Sequence, residues 1–378
     1  MSDADQLHRL LSYWQQDQAN TALIVDILVL FSKSSEFEKG IEFSRNIDLS
    51  IVAEPRVAYH IGILCLAAGK YAEAETEFNR MLVHMSEHVP TRYNLAYAQY
   101  AQQKISQARN TLDGFEYQWR ECPELLILLA RCEHFLENID VALEHIDKYL
   151  SFNMSHLEAK GLKSLLLVDK EDYVLAYQLA NDVIAQEPLQ LEANIAFSAA
   201  AISLQKTDYL QEQLQQALSA HPNVGRLWMV QAELDMLNQN FEQAEIHLKK
   251  TVKLMPDHIG SWHLLAWSQL LSNQLSCAED SFNQALTLNR NFADTHGGLA
   301  VLQVMTGNYN DANDSIRRAL KLDSTSVAGR YAKTLLLEKQ GNQQAAQAII
   351  KDIFTDDVAR SVLAYFPELK KNLEQKNH

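Results

Sequence analysis

The stretch AAGKYAEAETEF, at residues 67–78, distinguishes two kinds of protein. A Gly-Lys pair before a helix-forming run could open a phosphate-binding loop, or it could be a tight turn between two helices. A phosphate-binding loop has the pattern G-x-x-x-x-G-K-[ST]. Here Tyr71 follows Lys70, and Leu64 stands where the first glycine belongs. The stretch therefore predicts a helix–turn–helix joint, in which Gly69 ends one helix and Tyr71 begins the packing of the next.

The same pattern of an aromatic residue and then an alanine returns along the chain at multiples of 34 residues. It recurs in KEDYVLAYQLA at 170–180, NQNFEQAEIHL at 238–248 and TGNYNDANDSI at 306–316. A 34-residue grid gives ten repeats, which start at residues 21, 55, 89, 123, 157, 191, 225, 259, 293 and 327. Eight of the ten residues at grid position 20 are alanine, and nine of the ten at position 8 are small. Such fixed self-similarity is typical of repeat architectures.

This pattern resembles the tetratricopeptide repeat, in which small residues at positions 8 and 20 accompany a bulky residue at 24 and a proline near 32. Trp228 and Ala232, followed by Ala244, Leu248 and Pro256, fit it well. The resemblance implies an all-α fold, a right-handed α-solenoid or superhelix of about ten helix–turn–helix repeats. We expect helices at positions 2–14 and 18–31 of each repeat. The repeats are expected to form one domain without a linker over residues 21–360. The pattern predicts capping helices at residues 1–20 and 361–378. It also predicts a less stable segment of the array at residues 205–216.

Composition agrees with an all-helical chain and excludes several classes of function. The 378 residues are 47% hydrophobic and contain only 12 glycines and 7 prolines. A formal charge of −15 argues against a nucleic-acid partner, because such proteins present a basic surface. No run of apolar residues is long enough for membrane insertion, and the N-terminus is not that of a signal peptide. Four cysteines without a CxxC pair favour free thiols and a cytoplasmic location.

The candidate binding residues follow from the resemblance, which implies that the first helix of each repeat lines a concave groove through positions 2, 5, 9, 12 and 13. Here those positions are rich in apolar and aromatic residues, as binding surfaces are. Trp228 and Trp262, at position 4, are expected to be structural, whereas Trp267 at position 9 is expected to point into the groove. The predicted partner-binding residues are Tyr59, Tyr93, Tyr97, Tyr100, Arg131, Phe135, Met229, Glu233, His263, Trp267 and Tyr331.

Catalytic chemistry finds little support in the sequence. His84 and His88 have the i, i+4 spacing of metal ligands, but no third ligand accompanies them. His296-Gly297-Gly298 falls inside a predicted helix, where the glycines favour close approach of another backbone. We therefore expect no catalytic residue, no metal and no cofactor.

The resulting hypothesis is a non-catalytic scaffold that binds a protein or peptide in an apolar, aromatic groove. Two alternatives stay open: a non-catalytic subunit or targeting module of a transferase-type enzyme complex, and a regulator that senses a peptide. The residues that grip chaperone tails in some tetratricopeptide repeats are missing, since Tyr59, Ile63 and Glu124 occupy three of those positions. The sequence indicates neither the partner nor an oligomeric state.

Overall fold

The computed structural model describes residues 3–355, so the predicted C-terminal cap at 361–378 lies outside the described residues. Within that range the chain forms 22 α-helices and one 3-10 helix, with no strand. It divides into two compact units between Lys170 and Glu171, where the sequence contains no linker.

The first unit contains eleven α-helices among its described residues. They are α1 (Asp3–Trp14), α2 (Thr21–Lys33), α3 (Phe37–Ser44), α4 (Leu49–Val52), α5 (Pro55–Ala67), α6 (Tyr71–Leu82), α7 (Val89–Ala101), α8 (Ile105–Thr111), α9 (Glu124–Phe135), α10 (Ile139–Phe152) and α11 (Leu157–Asp169).

The second unit also contains eleven α-helices in its described part. They are α12 (Tyr173–Ile184), α13 (Leu191–Ser203), α14 (Leu210–Ala220), α15 (Gly225–Leu237), α16 (Phe241–Leu254), α17 (Ile259–Leu271), α18 (Leu275–Leu288), α19 (Ala293–Met305), α20 (Tyr309–Leu322), α21 (Val327–Lys339) and α22 (Gln343–Thr355).

Each unit is a stack in which helices pack against their neighbours in sequence and against the helix after next. The first helix of each pair begins at grid position 1, except α9, which begins at position 2. This arrangement confirms the predicted all-α solenoid class, because each pair buries its apolar face against the pairs beside it.

Within each compact unit, the residues at positions 8 and 20, most of them small, lie where the two helices of a pair meet. Every residue at these two positions is buried. Gly62 shows the geometry, because a Cβ atom there would stand 2.6 Å from the Phe78 ring. Close helix contact therefore needs a small side chain on one helix and a large one on the other.

The ten turns between paired helices share one backbone conformation. The residue at position 15 has a positive φ in every pair, from 56° at Gln205 to 82° at Gly307. In nine of these turns the next residue donates its N–H to the carbonyl five residues back, as Lys70 does to Cys65 at 2.8 Å. This is the 6→1 bond of a Schellman cap. Glutamine lacks the preference of Gly and Asn for this conformation, yet tertiary packing holds Gln103, Gln205 and Gln239 in it as well.

A second recurring contact joins consecutive pairs. The side chain at position 4 of a repeat donates a hydrogen bond to the backbone carbonyl at position 32 of the preceding repeat. Trp228 Nε1 donates to Pro222 O at 2.9 Å, and Trp262 Nε1 donates to Pro256 O at 2.8 Å. Both tryptophans are structural, as expected. Histidines at position 34 also serve the fold, since His88 Nδ1 caps α7 by accepting the N–H of Thr91.

Candidate functional site

The first unit carries the exposed part of the predicted site. We call Tyr59, Tyr93, Tyr97, Tyr100 and Phe135 its aromatic face. They lie on α5, α7 and α9, the first helices of three consecutive pairs. These helices contact one another side by side, so the five side chains belong to one surface.

Two members of the aromatic face are well exposed to solvent: Tyr97 at 40% and Phe135 at 55%. The rings also pair with one another. Tyr93 and Tyr97 have centroids 6.5 Å apart on α7, and Tyr100 meets Phe135 of α9 edge-on at 5.7 Å. An exposed pair of contacting aromatic rings is an apolar surface that water covers poorly, and another molecule could cover it favourably.

The hydroxyl groups of Tyr59 and Tyr93 remain neutral at physiological pH. Burial raises the pKa of Tyr59, and a hydrogen bond with Asn94 opposes that rise. Burial also raises the pKa of Tyr93, and the nearby Cys122 and Glu124 add to the effect. Both phenols therefore offer hydrogen bonds rather than charge.

Charged groups on α9 and α11 border the aromatic face. Arg131 Nη2 lies 2.9 Å from Glu158 Oε1, and His134 Nε2 lies 2.6 Å from Asp169 Oδ2. Sequence reasoning named Arg131 but missed the two carboxylates of α11. Their grid positions, 2 and 13, were the available signal, since the resemblance assigns both to the groove.

The predicted site residues of the second unit lie in a different environment. The expectation that Trp267 points to solvent is wrong: its side chain is 3% exposed within the hydrophobic core of the unit. Tyr331 is likewise buried, at 7% exposure. Trp267 Nε1 donates to His263 Nε2 at 3.0 Å, and the indole meets the Phe282 ring edge-on at 6.1 Å.

The glycines of α19 explain how the space around these rings is closed. A Cβ atom on Gly298 would stand 2.5 Å from the Phe282 ring, and one on Gly297 would stand 2.5 Å from the backbone nitrogen of Gly329. Gly297 permits close approach of the α21 backbone, as the sequence predicted, whereas Gly298 makes room for the Phe282 ring of α18. Because the helices come this close, they cover aromatic rings that would be exposed in a groove if the helices were further apart.

Burial shifts the pKa values of two ionisable groups of the second unit toward the neutral forms. Burial raises the pKa of Glu233 to about 7, although Arg226 opposes the rise. Burial lowers the pKa of His263 to about 4, against the pull of Asp294. Met229 is half-buried, with its Sδ 3.7 Å from Ser261 Oγ. The second unit therefore does not present its predicted residues as an open aromatic surface.

The described residues offer little for metal or thiol chemistry. Among them, no group of three His, Cys, Asp or Glu side chains could hold a metal ion. Burial raises the pKa of Cys65 and of Cys132 to about 12, so neither is a thiolate at neutral pH. No helix in the described part of the chain has the length and apolar character needed to cross a membrane.

A family model described as a tetratricopeptide repeat matches residues 66–114, the segment that contains the Gly69 turn. Among solved structures, the chain is similar to one described as the APC/C hetero-tetramer Cut9-Hcn1. That match has a TM-score of 0.50 and 13% identity, over 94% of this chain and 81% of that one. It is also similar to a monomeric mutant of IFIT1 with m7Gppp-AAAA, at a TM-score of 0.58 and 13% identity, over 98% and 94% of the two chains.

Residues 66–114 of this chain therefore carry a tetratricopeptide repeat. Two curated relatives share its sequence pattern. Anaphase-promoting complex subunit 3 of Schizosaccharomyces pombe is 21% identical over 238 residues, which are 63% of this chain and 36% of the relative. Cellulose synthase 1 operon protein C of Komagataeibacter xylinus is 31% identical over 96 residues, or 25% of this chain and 7% of the relative. The repeats thus match about a third or less of the length of these relatives.

Proposed function

We propose that this tetratricopeptide repeat protein is a non-catalytic scaffold, and that it binds an extended segment of another protein on the aromatic face of the first unit. The proposal rests on the exposure of Tyr97 and Phe135, which lie on the first helices of adjacent pairs. Aromatic residues dominate binding energy at protein interfaces, and each ring can bury about 150–250 Å². Their exposure on a rigid helical stack preorganises the surface for a partner.

The charge around the aromatic face favours a partner segment that places basic residues among apolar ones. Tyr93 lies within the electrostatic influence of Glu124 and Glu158, and Asp169 is further along α11. The whole chain has a net charge of −15. Complementary charge steers association and suppresses wrong partners, so carboxylates beside tyrosines select for lysine or arginine.

The names of the relatives support a role within an assembly. Anaphase-promoting complex subunit 3 is by name a subunit of a complex, and Cut9-Hcn1 is described as a hetero-tetramer. A scaffold that holds one component of a multi-protein complex fits both names. It also accommodates the alternative of a non-catalytic subunit in an enzyme complex.

A displayed library of random peptides tests the proposal with a defined class of ligand. The library is selected on the wild-type chain, and the dissociation constants of the enriched peptides are then compared for wild type and the Tyr97→Ala/Phe135→Ala variant. We expect enriched peptides to combine basic and apolar residues. We expect their affinity for the variant to fall about 30-fold, because two hot-spot rings together contribute about 2 kcal/mol.

The matched control removes two other exposed rings, Tyr117→Ala/Tyr209→Ala, at 69% and 84% exposure. This control should keep wild-type affinity, since neither ring belongs to the aromatic face. Acidic consensus peptides, peptides that bind the face variant as well as they bind wild type, or a selection that enriches nothing would each contradict the proposal.

A further inference from the structure

A cavity of about 500 Å³ opens in the second unit between α14, α15 and α16. It uses none of the residues of the aromatic face, and its lining is polar. The side chains that carry the argument are Gln211, Gln215, Trp228, Gln231, Asp235 and His247.

The cavity exists because α14 departs from the repeat pattern. The helix begins only at Leu210, three grid positions later than the usual start at position 17, after Tyr209 adopts a left-handed conformation with φ 63°. It also carries Gln211 and Gln215 at positions 21 and 25. Gln211 reaches across to the amide of Gln231 at 3.3 and 3.4 Å, which is a long and weak contact.

At the equivalent positions of the next helix pair, charged side chains replace the glutamines. There Glu245 and Lys249 occupy positions 21 and 25, and they form an ion pair at 2.8 Å. Glu245 also accepts a hydrogen bond from Gln274 of the following pair at 2.7 Å. Charged groups thus tie α16 to the helices beyond it, whereas the neutral glutamines of α14 leave the groove open.

The floor of the cavity is an ordered set of polar groups. His247 Nδ1 lies 2.6 Å from Asp235 Oδ2, and Gln231 Nε2 donates to Asp235 Oδ1 at 3.3 Å. Both oxygens of the buried Asp235 carboxylate are therefore engaged. The other ring nitrogen of His247, Nε2, bonds no atom of the described residues that line the cavity. Trp228 lies beside His247, with ring centroids 5.3 Å apart, and Lys250 covers its ring at 3.6 Å.

These groups restrict the chemistry of a ligand. Hydrogen bonds to both oxygens of Asp235 offset part of its negative charge, so this carboxylate attracts a cation less strongly than a free one would. An anion would meet Asp235 itself, and a purely apolar molecule would leave the amides of the glutamines without partners. The glutamine amides can donate and accept without carrying net charge, and the His247 Nε2 can accept, because Nδ1 is the nitrogen that donates to Asp235. The remaining apolar surface is a side of the indole and Leu218.

We propose that this cavity binds a neutral saccharide. A sugar presents hydroxyl groups that donate and accept along its edge, and a face of C–H groups that can lie on the indole of Trp228. The volume falls within the range of about 300–1,000 Å³ that is usual for small-molecule sites.

The test measures binding of chitotriose, cellotriose and maltotriose to the full chain by calorimetry and by saturation-transfer NMR, with adenosine as a neutral ligand of another class. We expect at least one of the three saccharides to bind below about 10 mM, with ring protons in contact with the protein. The variant Gln211→Glu/Gln215→Lys transplants the charged pair of α16 and should weaken binding about tenfold or more, a loss that corresponds to at least one strong hydrogen-bonded contact.

The matched control, Glu245→Gln/Lys249→Gln, neutralises the neighbouring groove and should bind the saccharide as the wild type does. Circular dichroism of both variants checks that the repeats remain folded. The proposal is overturned if none of the saccharides binds, if adenosine binds and the saccharides do not, or if the charged variant binds a saccharide as tightly as wild type.

Discussion

Side chains at the same repeat position differ in solvent exposure between the two compact units. At grid position 9, Tyr97 of the first unit is 40% exposed, whereas Trp267 of the second unit is 3% exposed. Tyr97 pairs with Tyr93 on its own helix and otherwise faces solvent. Trp267 is enclosed by His263 and Phe282, in a stack tightened by the glycines of α19. A repeat position therefore defines a direction from the helix, and the neighbours decide whether that direction leads to solvent or into the core.

Ionisable groups follow the same division. In the first unit, Arg131 and Glu158 meet as an ion pair at the edge of the aromatic face. In the second unit, burial shifts the pKa of Glu233 up to about 7 and that of His263 down to about 4, so both favour their neutral forms. A carboxylate keeps its charge where a charged or hydrogen-bonding partner is close, as Glu158 does beside Arg131, whereas burial without such a partner favours the neutral form.

The largest expected effect comes from Trp267→Ala. Removal of a buried indole should lower the free energy of unfolding by about 3–5 kcal/mol, because the lost burial is joined by the cost of a cavity. Chemical denaturation followed by circular dichroism measures the change.

Phe135→Ala is the matched substitution on the aromatic face. Its ring is 55% exposed, so the loss should stay within about 1 kcal/mol. If the two variants were equally destabilised, the contrast between the units would be lost.

A smaller and pH-dependent effect is expected for Glu233→Gln. The folded protein holds the pKa of this carboxyl above its unfolded value of 4.5, at about 7, so the folded state retains the proton between these values. Stability therefore falls as pH rises through this window, where folding takes up a proton.

The neutral glutamine removes that dependence. We expect the variant to match wild type near pH 5 and to exceed its stability near pH 8, by at most about 3 kcal/mol at 1.36 kcal/mol per pKa unit. Denaturation curves at the two pH values give the comparison. A variant that is less stable than wild type at pH 8 would show that the ionised carboxylate is favourable in the fold.

The smallest effect concerns the turns, where the two units should behave alike. Glu137 in the first unit and Gln239 in the second both have φ near 61–62°. Glycine at either position should raise the free energy of unfolding by about 0.5–1 kcal/mol, because a left-handed backbone strains any residue with a Cβ atom.

The reverse change, Gly307→Ala at φ 82°, should destabilise by about 1 kcal/mol. Thermal melts measure all three variants. Stabilisation in only one unit would mean that the turns also differ between units.

The sequence predicted most helix starts to within about one residue, because the signal repeats ten times and each small residue at positions 8 and 20 marks a helix contact. It did not predict the late start of α14 at position 20 or the early ends of α3 and α8 at positions 24 and 23. It missed the left-handed glutamines, since local preference is weaker than the packing on both sides of the turn. Among the candidate site residues, the exposed rings of Tyr97 and Phe135 agree with the expected groove, and the buried Trp267 and Tyr331 do not.

The sequence by itself determined the repeat, its phase and the helical class, because these depend on side-chain size and spacing within 34 residues. Only the tertiary structure decided which aromatic rings reach solvent, which acids lose their charge and where a cavity opens. Those outcomes depend on how close neighbouring helices come, and that distance is set by which side chains meet on different helices, such as Gly298 with Phe282, or line one cavity, such as Gln215 and His247.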